Sequence, residues 1–293
     1  MEKVINLGIP HVSELIFESI DTPELIECAL VSDTWKILAE NVVLKRWKGR
    51  LCEACENGNA KIVKLLLDNK NADFHNQTIA RWSEFMWACH NGHKEVVKLL
   101  LEHSNRPNEL NARNGYGWTP FLRACQNGHK YVVQVLLEHL DIELNARTKN
   151  GETAFMLACS NGHKDVAQAL LDHFDRTIDF HARKNGGCTP FISACSNGHK
   201  DVVKLLLKYS KDRNIVLNSR NRYGWTALII ARDSGHKDVA QALLDHFDGT
   251  IDLNARNENE RTAFMFACRN GHKDVVQFLL DYSTLRKIDL DAK

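Results

Sequence analysis

The chain has 293 residues, 44% of them apolar and 26% charged, with a formal net charge of +1. That length is enough to bury a large apolar core and to form two structural units. The near-zero charge gives no global electrostatic reason to expect nucleic acid or an anionic membrane as partner, and the longest apolar runs are too short to cross a bilayer.

The amino terminus, "MEKVINLGIPHVSELIFESI", interrupts its apolar part with acids and a proline and lacks the unbroken stretch of a secretory signal. This points to an intracellular protein, cytoplasmic or nuclear. Residues 1–8 read as a tail. Beyond them apolar residues fall at helical spacing: Leu15, Ile16 and Ile20, then Leu25, Ile26 and Ala29, then Trp35, Leu38 and Ala39. Asp21, Thr22 and Pro23 make a turn with a helix start, and Ser32 can cap the next helix. Three helices this small bury little surface, and a partner often completes such a unit.

These residues resemble an F-box, the module that docks a substrate receptor onto the Skp adaptor of a cullin-based ubiquitin-protein ligase. Ile9-Pro10 stand for the opening Leu-Pro, followed by Leu15-Ile16-Phe17 with Ile20, the Asp21-x-Pro23-x-Leu25 turn, and Val31-Ser32-x-x-Trp35. The stretch from Pro10 to Ile20 is one residue short of the pattern, and Ile9 replaces its leucine. The resemblance implies an F-box over residues 9–49 with an adaptor-binding face of Ile9, Pro10, Leu15, Ile16, Ile20, Leu25, Val31 and Trp35. An irregular helical cap on the rest of the chain is the other reading of the same residues. The basic run "KRWKGR" at Lys45 to Arg50 holds one aromatic residue among many nearby acids and reads as a solvated junction.

From Leu51 onward the chain repeats. Gly58, Gly92, Gly128, Gly162, Gly198, Gly235 and Gly271 recur at spacings of 34 to 37 residues. In "TPFLRACQNGH" Thr119 can cap a helix, Pro120 suits its first turn, and Phe121, Ala124 and Cys125 share an apolar face. Asn127 and Gly128 end it, and a second helix comes next in "KYVVQVLLEHL", with Val132, Val133, Leu136 and Leu137 at helical spacing. "DIELNARTKNGET" leads out through a glycine turn into the next unit. Neither helix is long enough to stand alone in water, so each must bury its face on neighbours.

"GWTPFLRACQNGHKYVVQVLLEHLDIELNAR" resembles the ankyrin repeat. Here the usual histidine after Thr-Pro-Leu is apolar (Leu122, Met156, Ile192, Ile229, Met265) and the second alanine is usually cysteine. The first finger, near "HNQTIARWSEF", lacks the Gly-x-Thr signature. The implied fold is all-α: a three-helix F-box, then a solenoid of about seven helix-turn-helix units with β-hairpin-like fingers, near 50–81, 82–113, 114–149, 150–184, 185–221, 222–257 and 258–293.

Two features carry the residue types of a chemical site. The Cys-x-Asn-Gly-His unit, as in "ACSNGHKDV", holds a potential nucleophile or metal ligand beside a base, but its recurrence along the repeats fits a small buried thiol and a turn-bonding imidazole. Cys52-x-x-Cys55 supplies only half a zinc site, with no second pair at suitable spacing. No phosphate-cradling glycine loop, His-Glu-x-x-His helix or Gly-x-Ser-x-Gly elbow occurs, so the sequence calls for no cofactor or metal and no catalytic residue.

Specificity should lie where the units differ and side chains point outward. A column at the fingers holds Trp82, Trp118, Glu152, Cys188, Trp225 and Arg261, and Tyr116 and Tyr223 lie two residues ahead of their tryptophans. A second column holds His90, Gln126, Ser160, Ser196, Asp233 and Arg269. The ankyrin resemblance implies that both line a concave binding face. Their mixed aromatic, acidic and basic character fits a protein target; the other reading has each tryptophan packing on the next finger. Asn111, Asn145 and Asn254 resemble targets of an asparaginyl hydroxylase, and their main use is expected to be bonding the loop backbone. The function implied is a non-catalytic substrate receptor of a Skp–cullin–F-box ubiquitin ligase; the other reading is an ankyrin scaffold whose first helices only cap the rod.

Overall fold

The computed structural model describes residues 17–28, 30–69, 82–103, 109–173, 178–246 and 250–269, with 271, 273, 276, 277 and 280. Two compact units divide between Glu109 and Leu110.

The first unit opens with α1 (Thr22–Cys28) and α2 (Asp33–Arg46). α2 starts where Ser32, in extended conformation, accepts a hydrogen bond from the Trp35 amide at 3.3 Å. The pair closes over Phe17, Leu25, Ala39, Val42 and Val43, with Phe17 edge-on to Trp35 at 5.6 Å. Arg46 donates to the Ile20 carbonyl at 2.7 Å, and Lys45 pairs with Glu18 at 2.6 Å, tying the end of α2 to the chain before α1. Two helix pairs come next, α3 (Leu51–Glu56) with α4 (Ala60–Asp68) and α5 (Glu84–Asn91) with α6 (Lys94–His103). α2 packs on α4, and Lys61 pairs with Glu27 at 2.7 Å.

The second unit is a stack of helix pairs: α7 (Pro120–Gln126) and α8 (Lys130–Leu137), α9 (Ala154–Ser160) and α10 (Lys164–Asp172), α11 (Pro190–Ser196) and α12 (Lys200–Lys208), α13 (Ala227–Asp233) and α14 (Lys237–Leu244), then α15 (Ala263–Arg269). First helices pack on first helices and second helices on second, the one-dimensional contact pattern of a solenoid. Each first helix starts at a threonine whose hydroxyl accepts the amide three residues on, as Thr119 does from Leu122 at 3.2 Å and Thr189 from Ile192 at 3.3 Å. Phe121, Phe155, Leu136 and Leu170 are almost wholly enclosed, each such side chain contributing roughly 1.5–3 kcal/mol of burial.

At Gly58, Gly128, Gly162 and Gly198 the glycine that ends a first helix does two things. Gly162, at φ +78°, takes the left-handed conformation the turn needs. A Cβ built on it would also stand 2.6 Å from Nδ1 of His199 in the next repeat. That ring reaches back to the Ser160 carbonyl at 2.9 Å, just as His163 reaches Gln126 at 2.8 Å and His236 reaches Ser196 at 2.9 Å. Glycine and histidine of successive repeats thus form one lock. In the first repeat Asn59 stands in the histidine's place.

The expected hairpin-like fingers are tight turns, and among the described residues no strand forms. Asn114 and Trp118 close one finger by an amide-to-carbonyl bond at 3.0 Å, and Asn114 Oδ1 accepts the Tyr116 and Trp118 amides. Single backbone bonds join neighbouring fingers, Lys149 to Tyr116 at 3.0 Å and Asn185 to Asn150 at 2.8 Å. The asparagines serve the same linkage: Asn111 Oδ1 accepts the Glu143 amide at 2.9 Å, and Asn145 Oδ1 the Asp179 amide at 2.9 Å.

Candidate partner-binding surfaces

The residues expected to face an adaptor divide into three groups. Ile9, Pro10, Leu15 and Ile16 lie outside the described residues. Leu25 has no exposed surface, and Trp35 is half-buried against Phe17, so both serve the segment's own core. Ile20 is half-buried and its carbonyl is held by Arg46. Only Val31 stands clearly outward, at 56%, and it has company the sequence pattern did not single out: Leu30 at 78% and Ile37 at 60%. The signal for Leu30 was its place beside Val31 in the inter-helix turn. For Ile37 it was the helical register, which sets it opposite Ala39, Val42 and Val43.

The finger tryptophans are partly engaged. Trp82 packs on Trp87 with ring centroids 4.4 Å apart and meets His90 at 5.0 Å. Trp118 lies beneath Arg123, whose guanidinium carbon is 3.9 Å from the ring centroid and whose Nη1 donates to Gln126 at 2.8 Å. Trp225 leans on Phe266 of the next repeat at 5.1 Å. All three keep part of their surface in solvent. The fingertip tyrosines are freer, Tyr116 at 64% and Tyr223 at 56% exposed, with Lys149 and Arg222 beside their rings. Glu152 is half-buried and accepts from the Thr148 hydroxyl at 3.3 Å. Asp233 and Arg269 are exposed and Arg261 is half-buried. Arg123 is the residue that column reading missed; it sits five residues after Trp118, inside the helix that Thr119 caps.

The cysteine and histidine columns are occupied structurally. Cys125, Cys159 and Cys195 have no exposed surface, and burial pushes their thiols well above the ordinary range. Cys52 is raised to about 12 by burial and by the nearby Glu84 carboxylate. The histidines spend their Nε2 on backbone carbonyls of the preceding repeat. Among the described residues no group of three or more His, Cys, Asp or Glu side chains is arranged to hold a metal ion, and no helix is long and apolar enough to cross a membrane.

Comparison with known proteins agrees with this architecture. The family described as ankyrin repeats (3 copies) matches residues 51–148, 141–218 and 210–293. Among solved structures, the human ASB11 ankyrin repeat domain is similar, at 26% identity and a TM-score of 0.63, over 80% of this chain and 97% of that one. No curated protein matches the chain. Stacked helix pairs, threonine caps, glycine-histidine locks and a family match that runs through residues 51–293 lead to one conclusion: the chain belongs to the ankyrin-repeat family.

Proposed function

We propose that this protein is the substrate-recognition subunit of a Skp–cullin–F-box ubiquitin-protein ligase. Residues 9–49 dock the Skp adaptor, and the ankyrin repeats hold the target on their fingers and inner helices. Ubiquitin is then delivered by proximity, with no chemistry in this chain.

The observation that carries the reading is the unused apolar surface of Leu30, Val31 and Ile37. The α1–α2 pair already has a core in Phe17, Leu25, Ala39, Val42 and Val43, yet these three stay exposed on a short segment. The F-box resemblance supplies the occupant. Affinity purification of the full chain followed by mass spectrometry tests it: Skp-adaptor peptides are expected with the parent chain and absent with Val31→Asp/Ile37→Asp. Adaptor recovered equally with both would overturn the assignment of this face.

A second reading, a non-catalytic ankyrin scaffold with a helical cap, draws on the packing of α2 against α4 and the Lys61–Glu27 pair. Deleting residues 1–49 separates the two. Docking predicts loss of adaptor binding with a small change in Tm, and capping predicts a large fall in Tm.

A further inference from the structure

The turn between the two helices of a repeat reaches back to the repeat before it. Asn91 and His93 both donate to the Glu56 carbonyl, at 2.9 and 2.8 Å. Asn197 and His199 do the same to the Ser160 carbonyl, at 2.6 and 2.9 Å. Glu56 and Ser160 are the last residues of α3 and α9, so the group received is each time a carbonyl at the end of a helix, where none has an intrahelical partner.

The first repeat has the same turn, but α1 and α2 precede it instead of a repeat. Asn57 and Asn59 hold the places of Asn91 and His93. Among the described residues neither side chain has a hydrogen bond. Both line a cavity of about 540 Å³, whose other wall is Pro23 and Ile26 of α1 with Trp47 at the end of α2. The lining is electrically balanced, since its one lysine, Lys61, is paired with its one acid, Glu27, at 2.7 Å. Two neutral amide donors beside an apolar wall suit uncharged carbonyls rather than a free anion. One turn of helix, about 10–12 Å wide and 5.4 Å long, fills roughly 400–600 Å³. The space therefore takes a helix end and not the helix pair of a whole repeat.

We propose that this cavity receives the carboxyl-terminal turn of a helix from a partner protein. The unpaired carbonyls of that turn accept from the Asn57 and Asn59 side-chain amides, and an apolar residue of the same turn lies against Pro23, Ile26 and Trp47. The front of the array thus takes from a partner the group that each later turn takes from its own neighbour. The inference goes beyond adaptor docking and uses none of Leu30, Val31 and Ile37.

The test uses the 15N-labelled full chain and an alanine-rich peptide amide of about sixteen residues, long enough to hold a helix in water, that ends in leucine. Its addition should shift the side-chain amide signals of Asn57 and Asn59 and the indole signal of Trp47, saturably. The same peptide with a central proline, which breaks the helix, should bind about ten-fold more weakly. Asn57→Ala/Asn59→Ala, at exposed positions with no bond to lose, should weaken binding about ten-fold, the loss of two hydrogen bonds. Asn59→His, the residue of the later repeats, should keep it. Val31→Asp/Ile37→Asp should bind as the parent chain does, so a failure of adaptor docking leaves this result standing. No shift of these signals, equal affinity of the parent and the double alanine variant, or equal binding of the proline peptide would each overturn the proposal. So would the same signals moving with chain concentration alone, which would put a second copy in the seat.

Discussion

The helix pair at the front of the chain and the repeats beyond Leu110 use apolar residues in opposite ways. In the repeats, Leu136, Phe155, Leu170 and Leu206 are enclosed because each helix leans on its counterpart in the next pair. At the front, Phe17, Leu25 and Val43 fill a small core while Leu30, Val31 and Ile37 stay in water. A periodic structure finds its partner one repeat along, whereas the front segment packs through α2 on α4 of the first repeat alone among the described helices. Beyond Leu110 the linking segments also leave Leu140 and Val216 exposed, at 85% and 53%.

The largest expected effect breaks the repeat side of the contrast through its thiols. Cys125, Cys159 and Cys195 have pKa values raised in the folded state, so they stay protonated where the unfolded chain ionises. Their contribution is complete below about pH 9 and is lost as pH rises through the folded values. Together they should cost about 4 kcal/mol per pH unit above that point. Urea unfolding at pH 8 and pH 10 measures it, and replacing all three by alanine should make the alkaline fall shallower, the remainder coming from Cys52 and Cys55. The front pair, with no fully buried thiol among its described residues, contributes nothing to this loss.

A smaller effect addresses the lock. Gly162→Ala imposes both an unfavourable φ and a clash with His199, and should cost about 2–3 kcal/mol. Adding His199→Ala removes the clash but not the backbone strain, so the double variant should lose less than the two single losses combined. Strict additivity in urea denaturation would mean that the glycine serves its own turn alone.

Arg232→Cys moves stability the other way. Removing an enclosed, unpaired charge should gain about 1–3 kcal/mol, read as a rise in Tm. A fall would show that the guanidinium is satisfied in solution. The smallest expected effect is at the front: Ile37→Asp should change stability by no more than about 0.5 kcal/mol, because that side chain is already in water.

Much of this architecture is legible in the sequence, because a repeat states its own rules several times over. The glycine column, the threonine caps and the apolar faces of "TPFLRACQNGH" and "KYVVQVLLEHL" all come from local preference and period. The seating of His199 over Gly162 is not legible, because it joins residues 37 apart and depends on how two repeats stack. The finger tryptophans show a similar limit. Column position identifies Trp118 as variable and outward, but only packing reveals Arg123 lying on its ring. Leu25 fits the F-box pattern by spacing, and its burial comes from how α1 meets α2. Arg232 is visible as the break in a cysteine column; that its charge has no partner is a fact of three dimensions.

Whether the exposed apolar residues of the α1–α2 turn and of α2 form a docking surface is measured most directly by co-elution of the purified full chain with a purified Skp adaptor. A stable complex at micromolar concentration is predicted, lost with Leu30→Asp/Ile37→Asp while the Tm of the chain is unchanged. A folded chain that elutes apart from the adaptor would contradict it.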